Sequence, residues 1–225
     1  MKKRLSIILF VGLSLIYVES CKQDEGKFIS EGSIEFAASV IDQSNSMASM
    51  APSKMTVHFK KNKSCVEMSA GMGLFTTSFV SNPDNRTLTQ MVKLLNKKFW
   101  LLQSMDEIQK DIDSYKFEIK PTKETKIIAG YTCTKAIVHK RDSDDPDFVI
   151  YYTKELNITN PNFSNPFSNI SGVLMEYQLK KFGLEMKFVA TKVVKEPIDD
   201  MLFEVPSDFK KITSKEMNEL FEGLQ

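Results

Sequence analysis

Residues 172–194 read GVLMEYQLKKFGLEMKFVATKVV. Val173, Met175, Tyr177 and Leu179 alternate with Leu174, Glu176 and Gln178. After Lys180-Lys181-Phe182-Gly183 the alternation resumes through Met186, Phe188, Ala190 and Lys192. A period of two on both sides of a polar, glycine-bearing tetrad is the signature of a β-hairpin. It is the clearest element in the chain and sets the expectation for the rest.

Working outward, the same pattern recurs. Ile34, Phe36, Ala38 and Val40 alternate with polar neighbours. Met55, Val57 and Phe59 run into Lys60-Lys61-Asn62-Lys63 and return through Cys65 to Met68. Further strands are expected at 74–80, 88–95, 99–102, 115–119 and 148–153, with turn residues at Asn82-Pro83-Asp84-Asn85 and Lys97-Lys98. Residues 125–139 read as one long strand bent at Gly130, because an isolated glycine in a strand often marks a bulge. Asp199 to Pro206 reads as a short edge strand ended by proline. Turn signals every eight to twelve residues or so describe a meandering antiparallel sheet.

Two segments are helical. Met105, Ile108 and Ile112 recur at helical spacing. Ser214 is a fair N-cap for a terminal amphipathic helix whose stripe is Met217, Leu220, Phe221 and Leu224. The fold class is therefore mainly β (α+β).

The first residues carry an address. Lys2, Lys3 and Arg4 precede an apolar stretch that runs to about Val18, and Ser20 and Cys21 follow. This is a secretory signal peptide, too short and too polar in its flanks for a transmembrane helix. Cys21 after a small residue resembles the lipobox of bacterial lipoproteins, which implies cleavage before Cys21 and its acylation. Glu19 departs from that pattern, and a plain secreted chain is the alternative. The organisation expected is 1–20 signal peptide, 21–27 lipidated Cys21 and tether, and 28–225 one β domain. Lys22 to Gly26 reads as a solvated tether, or as a surface-export signal of the kind found in some Gram-negative lipoproteins.

Composition excludes several classes. The 225 residues carry a net charge of +1, which becomes about −1 once the signal is removed, so no basic excess drives nucleic-acid binding. His58 and His139 lie in separate strand-like runs, and no HExxH, CxxC or GxSxG motif occurs. Gly71-Met72-Gly73 lacks the rest of a dinucleotide fingerprint and reads as a strand break. Asp142 to Asp147 has no EF-hand register and reads as a solvated turn. Met47, Met50 and Met55 read as packing residues rather than metal ligands. No catalytic residue, metal or cofactor is expected. Five Asn-x-Ser/Thr triplets, at Asn62, Asn85, Asn157, Asn162 and Asn169, matter only in a eukaryotic secretory route.

Cys65 and Cys133 remain beside Cys21. The oxidising exported compartment permits a disulfide between them, worth roughly 4 kcal/mol for so long a loop. Two separate buried thiols are the alternative. The loop at 157–169 is long, with Phe163 and Phe167 as its large apolar residues, which pin it to the domain or line a cavity mouth.

Lys54 to Met68, Ile128 to Ala136, and Ser171 to Val194 leading into Phe203 to Phe209 resemble an uncharacterised family of bacterial envelope lipoproteins, a domain of unknown function similar to the LolA/LolB lipoprotein-carrier superfamily. The resemblance implies a strongly curved antiparallel sheet, an incomplete barrel, with short helices over its concave side. It supplies no catalytic residue. The concave pocket is then expected to be lined by Phe36, Phe59, Met68, Phe75, Trp100, Tyr152, Met175 and Phe188. These expectations converge on a non-catalytic lipoprotein of the Gram-negative envelope, most simply at the outer membrane. Its partners are the membrane, through acylated Cys21, and a lipid or other apolar ligand. The alternative is an interaction or scaffold domain with a filled interior and no ligand.

Overall fold

The computed structural model describes residues 29–45, 48–181 and 183–222. The expected signal peptide, Cys21 and the expected tether lie outside the described residues, as do Met47 and Leu224. Strands β1 (Glu31–Val40), β2 (Lys54–Lys60), β3 (Lys63–Ala70), β4 (Phe75–Asn82), β5 (Thr87–Leu94) and β6 (Lys97–Gln103) form consecutive antiparallel hairpins. Helix α1 (Met105–Ser114) follows, then β7 (Phe117–Ile128), β8 (Tyr131–Lys140), β9 (Phe148–Thr153), β10 (Val173–Lys181) and β11 (Leu184–Val194). The two-residue β12 (Lys210–Lys211) and helix α2 (Ser214–Glu222) end the described chain.

Among the described residues twelve strands form one unclosed sheet, in the order β12-β6-β5-β4-β3-β2-β1-β11-β10-β9-β8-β7. β6 and β7 are consecutive in the chain but ten inter-strand steps apart in the sheet. In a flat sheet they would be separated by roughly 48 Å. The connection through α1 spans about 25 Å at most, and part of that runs along the strands. The sheet therefore has to curl until its two ends approach each other across α1. A capping box starts this helix: the Glu107 amide donates to Ser104 Oγ (3.3 Å), and the Glu107 carboxylate accepts from the Ser104 amide (2.8 Å).

Curling gives the sheet an inner and an outer face. Register puts Phe36, Met55, Met68, Thr77 and Val92 on one inner row. The main core collects Ile34, Phe36, Met55, Phe59, Met175, Met186 and Phe188 from the middle strands. A second cluster lies over β8–β10, where Phe167 of the 154–172 connection covers Ala136, Ile150 and Tyr152. A third holds α2, whose Met217 and Phe221 pack on Val92 and Leu101. The outer face has its own cluster: Cys65, Val80, Met91 and Trp100 lie beneath Phe203, Val205 and Phe209 of the segment returning from β11 to β12.

Three sequence expectations are corrected, and the open choice between a disulfide and two buried thiols is decided. Gly130 is not a bend: Ala129 and Gly130 both have positive φ and form the tight turn between β7 and β8. Asp199 to Pro206 is not an edge strand but a strap containing a 3-10 turn at Asp200–Phe203, and the added edge strand is Lys210–Lys211, parallel to β6. The cap of α2 is Thr213, whose hydroxyl accepts from the Glu216 amide (3.2 Å), while Ser214 donates to Glu107 of α1 (2.7 Å). Cys65 and Cys133 are free, buried thiols rather than a disulfide. They sit in separate clusters, on strands with five others between them. Burial pushes the Cys65 thiol up to about 12 and the Cys133 thiol up to about 11.

Glu176 ties the outer face together. Its side chain is 9% exposed and pairs with Lys126 of β7 and with Lys187 of β11 at 2.7 Å. Burial raises its pKa, but hydrogen bonds and charge from the two lysines outweigh that and hold it below its ordinary 4.5. The stability this group contributes is complete above 4.5 and is lost as pH falls through the lowered folded value. Glu176→Gln is expected to lose roughly 1–3 kcal/mol at pH 7. The gap between variant and parent urea midpoints should narrow below pH 4; a gap unchanged with pH would contradict the ion-pair account.

Gly32 marks the closest approach between β1 and the end of β11. A Cβ there would lie 2.1 Å from the Val194 carbonyl oxygen, at a φ of +157°. Gly32→Ala is expected to cost about 1–3 kcal/mol through this clash. Urea unfolding with an unchanged slope and a lower midpoint would show it.

Candidate functional site

The inner face is not filled everywhere. Between the β3–β4 limb and the β10–β11 limb lies a cavity of about 450 Å³. Its first wall is the inner row Ser64, Val66 and Met68 of β3, with Phe75, Thr77 and Phe79 of β4. The facing wall is Tyr177 and Leu179 of β10 with Leu184, Met186 and Phe188 of β11. Pro161, Pro166 and Phe167 close it from the 154–172 connection, Tyr115 from beyond α1, and Phe221 from α2. The hollow exists because several inner positions carry short side chains: Ser64, Val66, Thr77 and Ser81 leave space open, whereas Phe36 and Phe59 fill the inner face over β1 and β2.

The connection that closes the cavity is held by side-chain hydrogen bonds. Asn162 donates to the carbonyls of Ile170 (2.9 Å) and Gly172 (2.8 Å). Asn165 accepts from the Phe167 amide (2.9 Å). Ser164 donates to Ser81 across the wall (3.1 Å). Phe167 is fully buried and touches Phe117, with ring centroids 5.5 Å apart. It both pins the loop and lines the cavity.

The walls are mostly apolar. Among the described residues, Asp111 and Lys181 are the charged side chains that line the cavity, and they pair at 2.7 Å. Tyr115 donates to the Lys180 carbonyl (2.8 Å), and burial raises its pKa well above the usual tyrosine value. Burial alone raises that of Tyr177, whose hydroxyl lies 3.6 Å from Met55 Sδ and whose ring stacks on Phe188 at 5.1 Å. Both tyrosines are therefore neutral at physiological pH. No histidine or cysteine is among the lining residues. His58 pairs with Glu67 (3.2 Å) on the outer face, and His139 with Asp147 (2.8 Å) at an exposed turn. No group of three or more metal-binding side chains occurs among the described residues. Such a hollow suits an apolar guest with at most one small polar end.

Of the eight residues expected at a pocket, Met68, Phe75 and Phe188 line the cavity. Phe36, Phe59 and Met175 are buried in the main core instead, where they fill space rather than border it. Tyr152 is covered by Phe167 in the second cluster. Trp100 is on the wrong face: it opposes Met91, one step out of register with the inner pair Val92 and Phe99, and lies under the strap with Lys211 above its ring at 5.2 Å. Val66, Phe79, Tyr177 and Leu179 went unrecognised. Alternation from Met68 and Phe75 along each strand points to Val66 and Phe79, and alternation from Phe188 across the hairpin points to Tyr177.

No protein-family model and no curated protein sequence matches the chain. Among solved structures, PNGF-II is similar in fold, with a TM-score of 0.54 and 18% identity over 85% of this chain and 32% of that one. The chain thus spans about a third of the length of PNGF-II. MucB in the Pseudomonas aeruginosa MucA/MucB complex aligns with a TM-score of 0.37 and 12% identity, over 81% of this chain and 58% of that one. LprF from Mycobacterium bovis aligns with a TM-score of 0.29 and 10% identity, over 80% of this chain and 90% of that one.

Proposed function

We propose that this chain is a lipid-anchored, non-catalytic protein of the Gram-negative envelope that shelters a lipid or another apolar ligand in the inner-face cavity. The observation that carries the reading is the cavity itself: about 450 Å³, walled by apolar side chains. That size lies within the range of small-molecule sites, roughly 300–1,000 Å³. Burying apolar ligand surface there gains roughly 25 cal/mol per Å², offset in part by the freedom the ligand loses. The resemblance to lipoprotein carriers and the signal peptide ending at Cys21 point the same way. Among the described residues no helix is long and apolar enough to cross a membrane. Attachment is assigned to acylated Cys21, since two or more acyl chains hold firmly where one holds marginally.

The purified protein is expected to take up cis-parinaric acid saturably, with one site per chain. Val66→Trp places an indole in the hollow and should weaken uptake by about tenfold or more, a loss of ~1.4 kcal/mol. Its circular dichroism should stay that of the parent sheet. Uptake unaffected by Val66→Trp would move the site elsewhere, and absence of uptake by the parent would contradict the proposal.

A further inference from the structure

The chain enters the fold at one end of the sheet, and the cavity opens at the other. Ile29 is buried in the core, and its carbonyl accepts from the Asn157 amide (3.2 Å). The next carbonyl, of Ser30, accepts from the Lys61 amide (2.7 Å), beside the β2–β3 turn. From there β1 runs ten residues to Val40, which pairs with Met186 at the opposite end. That run is about 33 Å long.

At this far end Leu74 and Leu95 border the cavity and are 54% and 58% exposed, joined by the Leu95 amide on the Leu74 carbonyl (2.7 Å). Met72, between them and the end of β3, is fully exposed. Of the lining residues toward the entry end, Ser81, Leu88 and Phe167 are buried and Ser64, Pro161, Ser164 and Asn165 are half-buried, whereas Gly71, Leu74 and Leu95 at the far end are exposed. The mouth therefore opens among the β3–β4 and β5–β6 turns, away from Ile29.

We infer that the anchored chain stands with its cavity mouth turned away from the bilayer that holds Cys21, and so exchanges its ligand on the far side. The inference rests on the acylation of Cys21 proposed above. Eight peptide steps separate Cys21 from Ile29. Fully extended they reach at most about 29 Å. That is shorter than β1 alone, so a chain held at Cys21 cannot set its mouth squarely on the same membrane. The exposed Met72, Leu74 and Leu95 are carried into the aqueous phase rather than inserted beneath their own anchor.

The test is energy transfer from the acylated full chain, reconstituted in vesicles that contain an acceptor-labelled lipid. One donor dye is placed at Lys63→Cys, exposed beside the entry-end turn, and another at Met72→Cys at the mouth. Cys65 and Cys133 are buried and stay unlabelled in the folded protein. Transfer from position 63 should exceed transfer from position 72 several-fold. Equal transfer, or greater transfer from position 72, overturns the orientation. The mass of the peptide bearing Cys21 separates the two readings. An acylated peptide with reversed transfer sinks the orientation alone. An unacylated one, or a Cys21→Ala protein that remains on membranes, removes the anchor and this inference with it.

Discussion

The short path through α1 is the constraint on which the rest of the structure depends. Sequential hairpins alone would make a broad twisted ribbon with two solvated faces. One connection of limited reach, between strands near opposite edges, forces that ribbon to roll. Rolling separates an inner face, whose side chains converge, from an outer face, whose side chains diverge. The lateral contacts of α1 keep the roll in place. Tyr115 bonds the Lys180 carbonyl, Asp111 pairs with Lys181, and Ser214 of α2 bonds Glu107. Both ends of α1 are thereby tied to elements distant in the chain.

Once the sheet is rolled, side-chain volume decides where it is solid and where it is hollow. Phe36, Phe59 and Ile34 occupy the middle of the inner face and are buried without residual space. Toward β3 and β4 the short side chains of Ser64, Val66, Thr77 and Ser81 stand among Met68, Phe75 and Phe79 and leave space open. Filling that space would take one or two larger side chains. The outer face shows the contrasting solution. There Trp100 and Met91 pack against the strap through Phe203, Val205 and Phe209.

Local pattern made most of the strands readable. The hairpins at 54–68 and 173–194 rest on period-two alternation interrupted by polar turns, and they form as read. The capping box at Ser104 and Glu107 is equally local and supports the helix that spacing alone suggested. What the alternation does not contain is which face is inside. Trp100, expected in the pocket, is large and apolar, and these properties do not distinguish the two faces. An outer face covered by a strap from a hundred residues away buries such a residue just as well. The Ala129-Gly130 turn was missed for a related reason: β-branched and aromatic residues continue on both sides, so composition gave no break. The choice between a Cys65–Cys133 disulfide and two buried thiols stays open in the sequence because it rests on sheet order, which depends on how β1 and β11 join and not on either cysteine's neighbours.

A rolled sheet with an apolar hollow, closed by two helices and one long connection, has the shape that the proposed binding of an apolar guest requires. Tyr115 and Tyr177 are neutral, and the Asp111–Lys181 pair at the wall is internally compensated, so the interior favours apolar over charged matter. Native mass spectrometry of the freshly purified protein tests this most directly. The account predicts a species heavier than the polypeptide by one noncovalent apolar adduct per chain, lost on collisional activation and restored by added lipid. A spectrum showing the bare chain alone, unchanged when lipid is supplied, would contradict it.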